Sequence, residues 1–165
     1  MNSLLAIAPA SRGFGFVVLD ATRRAIDWGI KEVRSNKNAV CIAKAMEIID
    51  SHRPTILTIE DWSSGYTRRN TRIRTLLRTL ERVATKRHIT VERLGLHHVR
   101  NAFAPFHAET NEEIASAVAC LIPDLRPILP RPRNPWESQL YGMPIFKAGS
   151  LAISYFALQE PIRLS

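Results

Sequence analysis

The chain has 165 residues, of which 45% are hydrophobic and 23% are charged. This composition excludes a disordered chain and indicates a single folded domain over residues 1–165. No apolar run approaches the roughly 20 residues that a membrane-spanning helix needs, and the opening residues lack the basic region of a secretory signal. We therefore expect a cytoplasmic protein without membrane contact. The net charge of +8 predicts an anionic partner.

The first elements are predicted to be three antiparallel strands. Apolar runs at residues 3–8 and 13–19 predict a hairpin, and Gly13 and Gly15 would let the backbone turn and pack closely. After a polar turn, residues 25–33 predict a third strand. Three strands in succession make a meander.

Helices and strands alternate in the middle of the chain. Apolar residues at helical spacing predict a helix over residues 38–51, which Pro54 ends. Residues 55–60 are apolar on both faces, as expected of a central parallel strand. A long amphipathic helix is predicted over residues 69–87 and a fifth strand over residues 89–94.

The last third of the chain is predicted to be mainly helical. Residues 97–103 predict a short helix, and residues 110–121 predict another that begins with a capping-box pattern. Five prolines predict an irregular surface loop over residues 123–135. The final helix begins near Met143 or Pro144. The whole order predicts an α/β fold, a five-stranded mixed sheet with helices on both faces.

Basic residues are concentrated in the predicted long helix and just before it. Eight of them lie between Arg68 and Arg87, against the single acid Glu81, a clustering typical of phosphate binding. A solvated helix face is the alternative. The turn after the first strand adds Ser11 and Arg12. The candidate nucleic-acid contacts are Ser11, Arg12, Arg68, Arg69, Arg72, Arg74, Arg78, Arg82 and Lys86.

Four stretches in order along the chain carry a recognisable family pattern. They are residues 5–15, residues 56–60, residues 98–103 followed by 110–115, and residues 146–153. These stretches resemble the opening strand and turn, the fourth strand, two central helix starts and the closing helix of RuvC-type Holliday-junction resolvases. Those enzymes belong to the ribonuclease H-like superfamily. The resemblance implies a ribonuclease H-like fold, binding to branched or structured DNA, and a homodimer.

The resemblance also locates a nuclease site, and this chain departs from it. Glu60 matches the catalytic glutamate at the end of the fourth strand, whereas Ala8 and Lys147 stand where the family has aspartates. Two-metal nucleases need several carboxylates around their ions. We therefore expect a degenerate nuclease site without a cofactor. In such a site, Lys147 and Glu60 would form a structural ion pair.

Two other interpretations stay open at this point. An active endonuclease could rebuild a Mg²⁺ or Mn²⁺ site from Glu60, Asp61 and Glu137, with Glu60 as the metal ligand. Alternatively, the basic helix could bind an acidic protein, which would make the chain a protein-interaction scaffold. The apolar stripe of the same helix, with Leu76, Leu80 and Val83, predicts a contact between two copies of the chain.

Overall fold

The sheet has five strands, as the sequence predicts. The computed structural model describes residues 2–63, 69–137 and 140–159. Its strands are β1 Leu4–Ala10, β2 Gly13–Leu19, β3 Ala25–Glu32, β4 Ile56–Glu60 and β5 Thr90–Leu94. Their order in the sheet is β3-β2-β1-β4-β5. The first three strands pair antiparallel, and β1–β4 and β4–β5 pair parallel, so the sheet is mixed and the prediction is confirmed.

Helices cover both faces of the sheet. They are α1 Lys37–His52, α2 Thr71–Lys86, α3 Leu96–Phe103, α4 Asn111–Leu121 and α5 Met143–Gln159. The core on one face is built with α1 and α2, and the core on the other with α3, α4 and α5. None of the helices in the described part of the chain is long and apolar enough to cross a bilayer.

Alternating side chains of β1 divide the interior into two cores. Leu5 and Ile7 face α1 and α2, whereas Leu4, Ala6 and Ala8 face the α5 side. This is the two-residue period of a strand that is buried on both faces. The central strands therefore hold the two cores back to back, and the ends of β1 and β4 lie between two packed layers of helix.

The proline-rich segment is more ordered than the sequence predicts. A 3₁₀-helix covers Pro123–Ile128, in the first part of the predicted irregular loop. Proline fits the first turn of a helix, because the N–H that it lacks has no partner there. Leu125 is fully buried and joins the core on the α5 side. Burial of that leucine anchors a segment whose composition alone indicates a loop.

The apolar stripe of α2 packs on the protein's own sheet. Leu76 and Leu80 are 1% and 2% exposed and belong to the core between α2 and the sheet. The predicted contact between two copies is therefore wrong for these leucines, because they have no exposed surface. Val83, the third predicted contact residue, is half-buried. Amphipathic spacing shows that one helix face is covered, but it does not show what covers it.

Truncation of this stripe tests its place in the core. Leu80→Ala should lower the free energy of unfolding by about 2–5 kcal/mol, because it opens a cavity in a packed interior. Urea denaturation followed by circular dichroism measures the change. Arg78→Ala, two residues away on the exposed side, is the matched control and should stay within about 0.5 kcal/mol. Dissociation of an oligomer by Leu80→Ala at unchanged monomer stability would contradict the core assignment.

Candidate functional site

The candidate site lies where β1 and β4 end side by side. These parallel strands pair through Ala6 and Thr58, and two residues further along each strand come Ala8 and Glu60. Leu57 and Ile59 face the α2 side, so Glu60 faces the α5 side together with Ala8. Ala8 is 0% exposed. The structure therefore brings together two of the positions to which the resemblance assigns catalysis.

Helix α5 reaches this place because β2 lacks a side chain there. Gly15 pairs with Ala8 across the hairpin. A Cβ at Gly15 would lie 2.3 Å from the carbonyl carbon of Pro144, which is closer than real contacts allow. The first turn of α5 thus lies directly on the sheet, and Lys147 follows within the next turn.

An ion pair with Arg69 holds the Glu60 carboxylate. The Nε of Arg69 donates to Oε2 of Glu60 at 2.9 Å, and its Nη2 donates to Oε1 at 2.6 Å. Nη2 also donates to the carbonyl of Pro9 at 3.4 Å. The Glu60 hydrogen bonds raise the pKa of Arg69 above its usual value. This bidentate geometry is the strong form of an arginine–carboxylate pair.

Lys147 contributes a second positive charge at the same place. Burial lowers the pKa of its ammonium group, the positive charge of Arg69 lowers it further, and the negative charge of Glu60 opposes both effects. Lys147 is therefore within electrostatic range of both residues. Arg69 is thus a bidentate partner of Glu60 that was not expected from the sequence, and the expected ion pair between Lys147 and Glu60 stays a prediction.

The other two predicted acids are held by their own loops. Oδ1 of Asp61 accepts hydrogen bonds from the backbone N–H of Ser63 at 3.0 Å and from its hydroxyl at 2.6 Å, which lower the pKa of Asp61. Glu137 accepts from Arg131 at 3.1 and 2.7 Å and from Asn134. The Arg131 hydrogen bonds are the main reason for a lowered pKa of Glu137.

The donor set does not fit a two-metal centre. Across residues 2–63, 69–137 and 140–159, no three side chains of His, Cys, Asp or Glu are grouped so that they could hold a metal ion. Glu60, Asp61 and Glu137 are therefore not brought together. Ala8 supplies no oxygen, and Arg69 and Lys147 place two cations where hard divalent ions would need several carboxylates.

The predicted basic stripe leads away from this site. Because β4 and β5 are parallel, α2 connects the site edge of the sheet to the opposite edge. Its 16 residues span about 24 Å. Arg78, Arg82 and Lys86 are exposed on the side away from the sheet, and Arg74 is half-buried. The stripe is thus confirmed as a surface feature, although it does not border the site along its length.

The remaining candidate contacts lie nearer to the strand ends. Ser11 and Arg12 are exposed in the turn after β1, and the Ser11 carbonyl accepts a hydrogen bond from Lys37 at 2.9 Å. Arg72 donates to Asn38 on α1 at 3.3 Å, so it bridges the two helices. Arg68 lies outside the described residues.

The ion pair of Arg69 with Glu60 was not predicted from the sequence. The charge pattern indicates Arg69 only as a phosphate contact, and the structure adds that it belongs to the candidate site. The N-cap explains the position: Asn70 accepts from the N–H of Ile73 at 2.9 Å and starts α2 directly after Arg69. An arginine just before the helix that follows a strand-end acid was the available signal, but spacing alone could not tell which way its side chain turns.

Comparison with known proteins supports the fold. No family model and no curated protein matches the chain. Among solved structures, it is similar to T. thermophilus RuvC in complex with Holliday junction substrate, with a TM-score of 0.69, 17% identity and 98% of each chain covered. A second structure of Thermus thermophilus RuvC gives a TM-score of 0.68, 15% identity and 95% coverage of each chain. At these identities the likeness shows the fold, and the predicted ribonuclease H-like arrangement is confirmed.

Rebuilding the carboxylates tests the assignment of the site. We expect that Ala8→Asp with Lys147→Asp binds Mn²⁺ weakly, because Arg69 still holds Glu60. Adding Arg69→Ala should produce measurable Mn²⁺ binding by calorimetry and a Mn²⁺-dependent rise in the melting temperature, since three carboxylates then converge. The matched control combines Ala8→Asp and Lys147→Asp with Arg72→Ala in place of Arg69→Ala. Equal Mn²⁺ affinity with either third substitution would show that Arg69 does not block the site.

Proposed function

We propose that this protein binds branched or structured DNA and does not cleave it by two-metal chemistry. The observation that carries the proposal is the bidentate ion pair between Arg69 and Glu60, with Lys147 nearby, at the ends of β1 and β4. The one acid that matches the family's catalytic set already has a partner. The similar structure that covers 98% of this chain is described as a complex with a Holliday junction, which supports DNA as the ligand.

The charge of the protein supports a polyanionic ligand. The net charge is +8, and the stripe from Arg74 to Lys86 extends about 18 Å along α2. That length matches about five base pairs of duplex at 3.4 Å each. The exposed arginines and lysine on this helix would contact phosphates without reading sequence.

The proposal keeps the cytoplasmic location expected from the sequence and the homodimer that the resemblance implies. The apolar stripe of α2 no longer supports the dimer, because it is buried in the protein's own core. Active cleavage through Asp61 and Glu137 would require both carboxylates to leave their loop hydrogen bonds. A scaffold that binds an acidic protein remains an outcome of the binding experiment.

The first test is a cleavage assay. Purified protein incubated with four-way junctions or linear duplex in Mg²⁺ or Mn²⁺ should release no product above the level of Glu60→Gln, because too few carboxylates hold the ions. Denaturing gels resolve the products. Turnover that depends on the metal and disappears in Glu60→Gln would instead establish an active endonuclease.

The second test measures binding against salt. Affinity for a labelled junction should fall steeply as salt rises, because bound phosphates release counterions. Arg78→Glu with Arg82→Glu should weaken binding to different sequences about equally and reduce the slope of log K against log salt by about two. Fluorescence anisotropy gives both quantities.

A matched pair of charge reversals controls for net charge. Arg23→Glu with Arg126→Glu changes the charge by the same amount at exposed positions on the α5 side of the sheet, opposite α2. We expect this variant to keep a slope close to that of the unmodified protein. Junction binding that is insensitive to salt, or equally weakened by both pairs, would refute the α2 contact and favour the scaffold.

A further inference from the structure

At the ends of β1 and β4, the described residues Arg69, Lys147 and Glu60 lie where the resemblance places a metal centre. Arg69 and Lys147 are cations and Glu60 is an anion, so these three residues carry a net charge of +1. A metal-binding frame of carboxylates would be negative at the same place. The sign of the charge therefore makes this place suitable for an anion instead of a divalent cation.

The arginine is held in one orientation before any ligand arrives. Two hydrogen bonds fix its guanidinium group to Glu60, and a third reaches the carbonyl of Pro9. Such a constraint lowers the conformational entropy that the side chain would otherwise lose on binding. Glu60 thus acts as a positioning residue for Arg69.

The site is accessible but partly shielded from water. The side chains of Arg69 and Glu60 are 27% and 26% exposed, while Ala8 beside them is 0% exposed and closes the floor. Partial burial strengthens the attraction between fixed cations and an anion, because the local dielectric constant is lower than that of water.

We propose that Arg69 and Lys147 form a metal-independent seat for one backbone phosphate of bound DNA, oriented by Glu60. This inference rests on the proposed function, since it assigns a task to the site of a DNA-binding protein. Two side-chain cations take the place that metal ions would occupy beside a phosphate. The seat needs no divalent ion, and it binds a phosphodiester without breaking it.

The seat predicts opposite effects for two substitutions at the same place. In excess EDTA, Lys147→Gln should weaken binding to a labelled four-way junction by about fivefold or more and reduce the salt slope by about 0.9, the value for one phosphate contact. Glu60→Gln keeps an amide oxygen that can still accept a hydrogen bond from Arg69 and hold its orientation. Because it removes the negative charge beside the phosphate, it should tighten binding. Lys147→Arg keeps the charge and should retain most of the affinity.

Opposite signs separate the seat from a structural role. A substitution that only disturbs packing would weaken binding in both variants, and thermal melting identifies a variant that is not folded. Arg23→Gln, which removes the same charge at an exposed distant position, is the matched control. If Lys147→Gln does not fold, the comparison of Glu60→Gln with the unmodified protein still shows whether removal of the negative charge tightens binding.

Three outcomes would overturn the seat. They are binding of folded Lys147→Gln within twofold of the unmodified protein, weaker binding by Glu60→Gln, and junction binding that requires Mg²⁺. In each case binding by the unmodified protein would leave the proposed DNA-binding function standing. If the unmodified protein does not bind DNA at all, the proposed function and the seat fail together.

Discussion

The close approach of α5 to the sheet determines the arrangement of the whole candidate site. The backbone of Pro144 lies where a side chain on Gly15 would be, and Gly15 is the direct neighbour of Ala8. Any larger residue on β2 would push the helix outward and carry Lys147 away from Glu60. Ala8 contributes to the same fit, since its small side chain is fully buried beneath the helix. One small residue in each strand of the hairpin therefore sets the distance between the charged groups.

Electrostatics then decides what this geometry can hold. A carboxylate that is about three-quarters buried is costly unless it is paired, and Arg69 meets that need with two hydrogen bonds. A metal ion that bound Glu60 would have to displace the guanidinium group of Arg69, and the positive charge of Lys147 would repel it. The fold is thus that of the similar solved structures, while the described charged groups around Glu60 include two cations.

Most of the fold could be predicted from the sequence because its signals are local. The capping box is present, with Thr110 and Glu113 exchanging hydrogen bonds at 3.1 and 3.0 Å, and the apolar run of β4 forms the expected central strand. The 3₁₀-helix at Pro123–Ile128 could not be predicted from composition, because its stability depends on burial of Leu125 against distant residues. The partner of the apolar stripe on α2 was likewise a question of tertiary packing.

The candidate site could be predicted in part for the same reason. Glu60, Ala8 and Lys147 lie on regular elements, so their positions follow from strand order and helix phase. Arg69 lies just outside a helix, where neither periodicity nor pairing fixes the side chain. Asp61 and Glu137 are held by hydrogen bonds in turns, and these local contacts kept the two acids from joining Glu60.

The separation of the interior into two cores has a consequence for how such a protein can diversify. Helix α2 packs on one core and α5 on the other, so substitutions on the two helices share few packing partners. Energetic effects at such separated positions tend to add independently. Substitutions that change the charge along α2 should therefore leave the charged groups carried by α5 unaffected, and the reverse should hold as well.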